Sequence, residues 1–142
     1  MKKISIYLFF LVCIFSCKKK DTEQNCTTNT ASIAGSYKIT AVAYKANTSA
    51  TEVDFYQQFF PEPCDRDDIL TFNVNGTWVQ KDAGIVCSPS NDDNGSWSVT
   101  GQTMFVDGDA ATIKSFNCKQ LVLTNIISPS TGEQFTITLT KQ

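Results

Sequence analysis

The chain contains no histidine, only four prolines and two methionines, and just twelve basic residues against fourteen acidic ones among its 142. Without an imidazole there is no group that titrates near neutral pH in its ordinary state and no histidine ligand for zinc or haem, so histidine proton relays and histidine-based metal centres are excluded. A formal net charge of −2 leaves no basic surface for nucleic acid. No apolar run reaches the roughly 20 residues a membrane-spanning helix needs. A Gly-x-Ser-x-Gly elbow and a phosphate-binding glycine loop are also missing, and serine or cysteine without a neighbouring base is a weak nucleophile. The expectation is therefore a protein that is not an enzyme and carries no cofactor.

What is present points to one globular domain. With 42% hydrophobic and 18% charged residues, the chain can bury a core, and its length leaves no room for a second one. Six cysteines suggest an oxidising compartment. The N-terminus agrees: Lys2 and Lys3 precede an almost unbroken apolar stretch from Ile4 to Phe15, the length of an export signal rather than an anchor. Loss of residues 1–16 would leave ten basic and fourteen acidic residues, a charge of −4.

Ile14-Phe15-Ser16-Cys17 resembles the lipobox of bacterial lipoproteins, in which a small residue precedes the cysteine that receives the lipid. The resemblance implies cleavage before Cys17, acylation of Cys17, and firm membrane attachment, since two or more acyl chains hold where one does not. The lysines that follow, Lys18 to Lys20, look like a tether, and lysine rather than aspartate after the cysteine suggests the outer membrane of a Gram-negative cell envelope. Residues 17–32 are polar and without period, so they read as the lipidated cysteine and a flexible linker reaching on the order of 20 Å. The domain proper is expected over 33–142.

From Ile33 onwards, short alternating segments are separated by turn residues, the pattern of an antiparallel all-β domain. Eight strands are expected, near 36–44, 68–74, 77–82, 95–100, 103–107, 111–118, 121–127 and 134–140. A two-residue turn at Gly101-Gln102 places Val99 opposite Met104 and Trp97 opposite Val106. One at Lys119-Gln120 places Cys118 opposite Leu121 and Phe116 opposite Leu123. At Asn75-Gly76, a two-residue turn pairs Phe72 with Val79, whereas a three-residue loop with a left-handed Gly76 pairs Phe72 with Trp78. The second is favoured because it buries both aromatics. The one long connection, 45–67, carries Val53, Phe55, Tyr56, Phe59 and Phe60, which fit a short helix ending before Pro61.

Cys64 and Cys87 lie 11 residues before Asn75 and 11 after Gly76. Of the three pairings open to four cysteines, that symmetry favours Cys64 with Cys87 across the hairpin base, leaving Cys26 for Cys118.

Gly35-Ser36-Tyr37, the run from Cys64 to Phe72, Asn75-Gly76-Thr77-Trp78, Gly95-Ser96-Trp97-Ser98-Val99 and Phe135-Thr136-Ile137-Thr138-Leu139 together resemble the lipocalin-like domain of bacterial lipoproteins. The resemblance implies an eight-stranded antiparallel up-and-down barrel. A barrel of that size is either filled by its own side chains or holds one small molecule. Tyr37, Phe72, Trp78, Trp97, Phe105, Phe116 and Phe135 are the candidate cavity walls for a small apolar or amphipathic ligand, carried by a monomer. The alternative is an envelope interaction module or an enzyme inhibitor, acting through the 45–67 and 87–94 loops, with Phe55, Phe59 and Phe60 as an apolar patch. A cavity of a few hundred Å³ would favour the carrier; a filled barrel would favour the interaction module. The carboxylates Asp65, Asp67 and Asp68 lack the spacing of a calcium loop, and the Asn91–Asn94 tip reads as a solvated turn, so no metal is expected.

Overall fold

The computed structural model describes residues 26–142; the expected export signal and lipidation at Cys17 lie outside them. The alternating segments form strands β1 (Gly35–Lys45), β2 (Val53–Asp54), β3 (Ile69–Phe72), β4 (Thr77–Lys81), β5 (Asp93–Thr100), β6 (Thr103–Val106), β7 (Asp109–Phe116), β8 (Gln120–Ser128) and β9 (Glu133–Lys141). Eight of them, β1 and β3 to β9, pair antiparallel in chain order, and β9 returns to β1. That closure leaves no full-length edge for another chain to extend. The ninth, β2, lies in the long first connection and adds to β1 at Ala43 and Tyr44.

Register follows the alternation in two of the three hairpins considered above. Trp97 pairs with Val106 and Val99 with Met104. Phe72 pairs with Trp78, with Asn73 N donating to Thr77 O and Gly76 left-handed at φ 85°. The third differs: Phe116 lies opposite Leu121, not Leu123, and Cys118 sits in the turn at φ 68° rather than in the ladder. Asn117 decides this turn, because its Oδ1 accepts from Lys119 N and Gln120 N, closing the loop one residue earlier than the apolar pattern suggests. A bulge between Ile113 and Ser115 then corrects the phase. Three residues apart, Ile113 and Phe116 would face opposite sides of a regular strand; the extra residue turns both inward, at 2% and 4% exposure.

The antiparallel order sorts the connections into two sets. Residues 73–76, 101–102 and 117–119 lie at one end with both termini of the described chain; residues 46–68, 82–92, 107–108 and 129–132 lie at the other. We call these the closed end and the mouth. The closed end is plugged by α1 (Thr30–Ile33), capped by Asn29 Oδ1 accepting from Ser32 N. Ile33 is fully buried; its carbonyl accepts from the Tyr37 hydroxyl at 2.6 Å. Lys141 Nζ donates to Ala34 O and lies 5.6 Å from the Tyr37 ring centre. The segment expected to be tether up to Ser32 is thus folded from Cys26 onwards, held by the Cys26–Cys118 disulfide. Within the wall, Tyr37, Phe72, Trp97, Met104, Phe116 and Leu121 make one continuous core.

Candidate functional site: the lidded mouth

Residues 55–66 fold across the mouth. The apolar run of 53–60, expected as one helix, divides into β2 and the single helical turn α2 (Tyr56–Phe59), followed by a 3-10 turn over Pro63–Arg66. Asp54 Oδ1 accepts from Tyr56 N and starts the turn; Pro61 prevents it from continuing. The Tyr56 hydroxyl reaches Ile39 O at 3.2 Å and Arg66 O at 3.3 Å. It therefore meets β1 where the strand bulges between Ile39 and Ala41. Arg66 spends its guanidinium on the lid, Nε donating to Phe60 O and Nη2 to Pro61 O, both at 2.9 Å. Four aromatics lock lid to wall: the Phe135 ring lies 5.2 Å from Tyr44, 5.6 Å from Phe55 and 5.4 Å from Phe59. These spacings favour edge and tilted packing.

Beneath the lid the free space is about 20 Å³, bounded by Ile39, Phe60, Asp65, Arg66, Asp68, Leu70 and Gln80. That holds about one water molecule. Of the seven aromatics considered as cavity walls, Tyr37, Phe72, Trp78, Trp97 and Phe116 are consumed in the packed core at 7% exposure or less. Their polar ends are satisfied, Trp78 Nε1 by Asp107 Oδ2 and Trp97 Nε1 by Asn73 O. Phe105 is a correction: it lies between the inward Met104 and Val106 and opposite Ser98 and Ala110, so alternation turns it to the outer face. Phe135 alone of the seven faces the lid. Tyr44 was missed, and Tyr56 was read only as part of the expected helix, because nothing in their own spacing shows that the long connection folds back over β1.

The Cys64–Cys87 disulfide joins the lid's end to the 82–92 loop. Acidic side chains order that loop. Asp82 Oδ2 accepts from Cys87 N and Asn91 N, both at 3.0 Å, Asp67 Oδ2 from Ile85 N, and Asp65 Oδ1 from Asn91 Nδ2. Asp92 pairs with Lys81 at 2.8 Å, which holds its carboxyl below the usual range. Asp68 is 6% exposed. Gln80 Nε2 donates to its Oδ2 at 2.8 Å, but Oδ1 has no partner, nor does the buried Asp67 Oδ1. Burial pushes the Asp68 carboxyl up, with Asp82 and Asp65 adding repulsion against backbone and Gln80 hydrogen bonds that lower it. Asp65, Asp67 and Asp68 do not converge on a common point. The one grouping of candidate ligands among the described residues is Cys64, Asp65 and Cys87, and both its sulfurs are bound to each other.

An eight-stranded antiparallel barrel closed in chain order, with its first connection folded over the mouth, defines a lipocalin-like architecture. A family model described as a lipocalin-like domain matches residues 33–140, and the chain belongs to that family, a binding fold that is generally non-enzymatic. No curated protein and no solved structure matches the chain.

Proposed function

We propose that the chain is a lipid-anchored lipoprotein of the bacterial outer membrane whose barrel works as a protein interaction module. One observation carries the reading: the space beneath the lid is about 20 Å³, an order of magnitude below the several hundred Å³ a small-molecule site requires, and the larger depressions, of about 290–430 Å³, lie open to solvent. The apolar lid supports it, because Phe59 is left 38% exposed at the mouth. Native mass spectrometry of the protein extracted gently from its own membrane tests both halves. The expected species is acylated at Cys17 and otherwise empty. A stoichiometric apolar molecule in the barrel would overturn the interaction reading, and an intact N-terminus bearing residues 1–16 would overturn the anchor.

A carrier role is the second reading, favoured by the way the lid is held. No disulfide reaches residues 46–63; aromatic packing and the Tyr56 and Arg66 hydrogen bonds secure them. Such a lid can open without breaking a covalent bond. Saturable uptake of an environment-sensitive apolar dye, lost when Cys residues introduced at Phe59 and Phe135 are oxidised to lock the lid, would support this reading over the first.

A further inference from the structure

We propose that the mouth docks a basic protein surface that carries apolar side chains, an inference that rests on the interaction reading above. Charge is divided unevenly between the two sets of connections. All twelve acidic residues of 26–142 lie in the four mouth connections or on the first residue of the strand that follows one: six in 46–68, three in 82–93, two in 107–109, and Glu133. Lys45, Arg66 and Lys81 lie in or beside the same connections, a formal net of −9, and Lys114 from β7 reaches Glu52 at 3.7 Å, so eight negative charges in excess remain. The strands and the closed-end connections carry Lys38, Lys114, Lys119 and Lys141; the one carboxylate that reaches this wall is Glu52, held by Thr136 and Lys114. One oxygen of each of two carboxylates there, Asp67 Oδ1 and the nearly buried Asp68 Oδ1, has no hydrogen-bond partner.

Exposed apolar side chains follow the same division. Of seven large ones, Val53, Phe59, Ile85, Val86, Ile126 and Ile127 lie at the mouth and only Val74 at the closed end. Ile85 and Val86 are 60% and 65% exposed on a loop pinned by Cys64–Cys87 and Asp82. Apolar anchors set among charges of one sign fit a complementary surface: burial supplies affinity, and the field steers a cation in and rejects anions, including an anionic bilayer. The described chain begins at the opposite end, where Cys26 is bonded to Cys118, so an N-terminal anchor would leave the mouth free.

The test uses the full chain in nanodiscs of neutral phosphatidylcholine, empty nanodiscs as the blank, and a synthetic amphipathic peptide of leucine and lysine as the probe. Saturable binding that weakens with salt is expected. The Ile85→Ser/Val86→Ser pair, and separately Glu62→Gln/Asp93→Asn/Asp109→Asn, should each weaken it about tenfold, roughly 1.4 kcal/mol. These positions are exposed, so the variants fold, and Val74→Ser should bind unchanged. Equal binding of the leucine and glutamate counterpart, equal loss in Val74→Ser, or preferential binding to anionic vesicles or to a second copy of the chain would overturn the inference. A barrel that stays empty while the peptide fails to bind sinks this inference alone; a bound small molecule sinks the reading beneath it.

Discussion

Trp78 Nε1 donates to Asp107 Oδ2 at 2.9 Å while Asp107 Oδ1 accepts from Ser96 N at 2.7 Å. One carboxylate thereby ties β4, β5 and the turn between β6 and β7, and its residue is held left-handed at φ 51°. Asp107→Ala should leave a nearly buried indole N–H unpaired and cost about 2–3 kcal/mol. Asp107→Asn, which keeps one acceptor, should cost less. Urea unfolding followed by tryptophan fluorescence reads both, and an alanine variant of wild-type stability would show the link to be incidental.

Tyr37 gives a signed alkaline prediction. Burial raises its hydroxyl from 10 to about 12, so the folded protein holds the phenol proton more tightly than the unfolded chain. The stability it contributes is complete below pH 10 and is lost as pH rises from there to about 12, on the order of 2–3 kcal/mol in all. Tyr37→Phe should be less stable at neutral pH, because Ile33 O loses its 2.6 Å donor, yet show a shallower alkaline decline. Parallel slopes for the two proteins would contradict this origin.

Asp68 carries the opposite lesson for acid. Its folded carboxyl is raised by burial, so the native state takes up the proton first and Asp68 destabilises the fold above that point. Its contribution should improve as pH falls from neutral through the folded value towards the unfolded value near 4. Asp68→Asn, which retains an acceptor for Gln80, should stabilise the protein at pH 7 by about 1 kcal/mol and remove that gain. Thermal unfolding at neutral and mildly acidic pH distinguishes the two; destabilisation by Asn at pH 7 would refute the account.

The two disulfides should differ in worth. Cys26–Cys118 spans 92 residues and Cys64–Cys87 spans 23, so loop entropy assigns roughly 4–5 kcal/mol to the first and about 3 to the second. Paired serine variants compared in urea measure the difference. Only the Cys64/Cys87 pair should raise backbone amide exchange in 82–92.

Much of this architecture was legible residue by residue. The alternation of Phe135, Ile137 and Leu139 with threonine marked β9, and Gly76 marked a three-residue loop that brings Phe72 to Trp78. The equal distances of Cys64 and Cys87 from that loop suggested the bridge across its base, because antiparallel pairing makes sequence symmetry spatial. Where local chemistry competed with the pattern, the reading failed. Asn117 closed its turn a residue early, and a bulge then restored Ile113 and Phe116 to one face. Phe105 was counted inward on aromatic character, although its own strand's alternation turns it out.

Polarity order along the chain, a period of two and well-placed turn residues determined that this protein is an antiparallel barrel, because strand alternation and hairpin geometry are local properties. Tertiary structure alone decided that the aromatics pack as a filled core, that the long connection is a lid, and that the acid-bearing connections belong to one set. Those outcomes depend on how side chains from distant segments share a closed volume, and on closure itself, which sends alternate connections to opposite ends however far apart they lie in sequence.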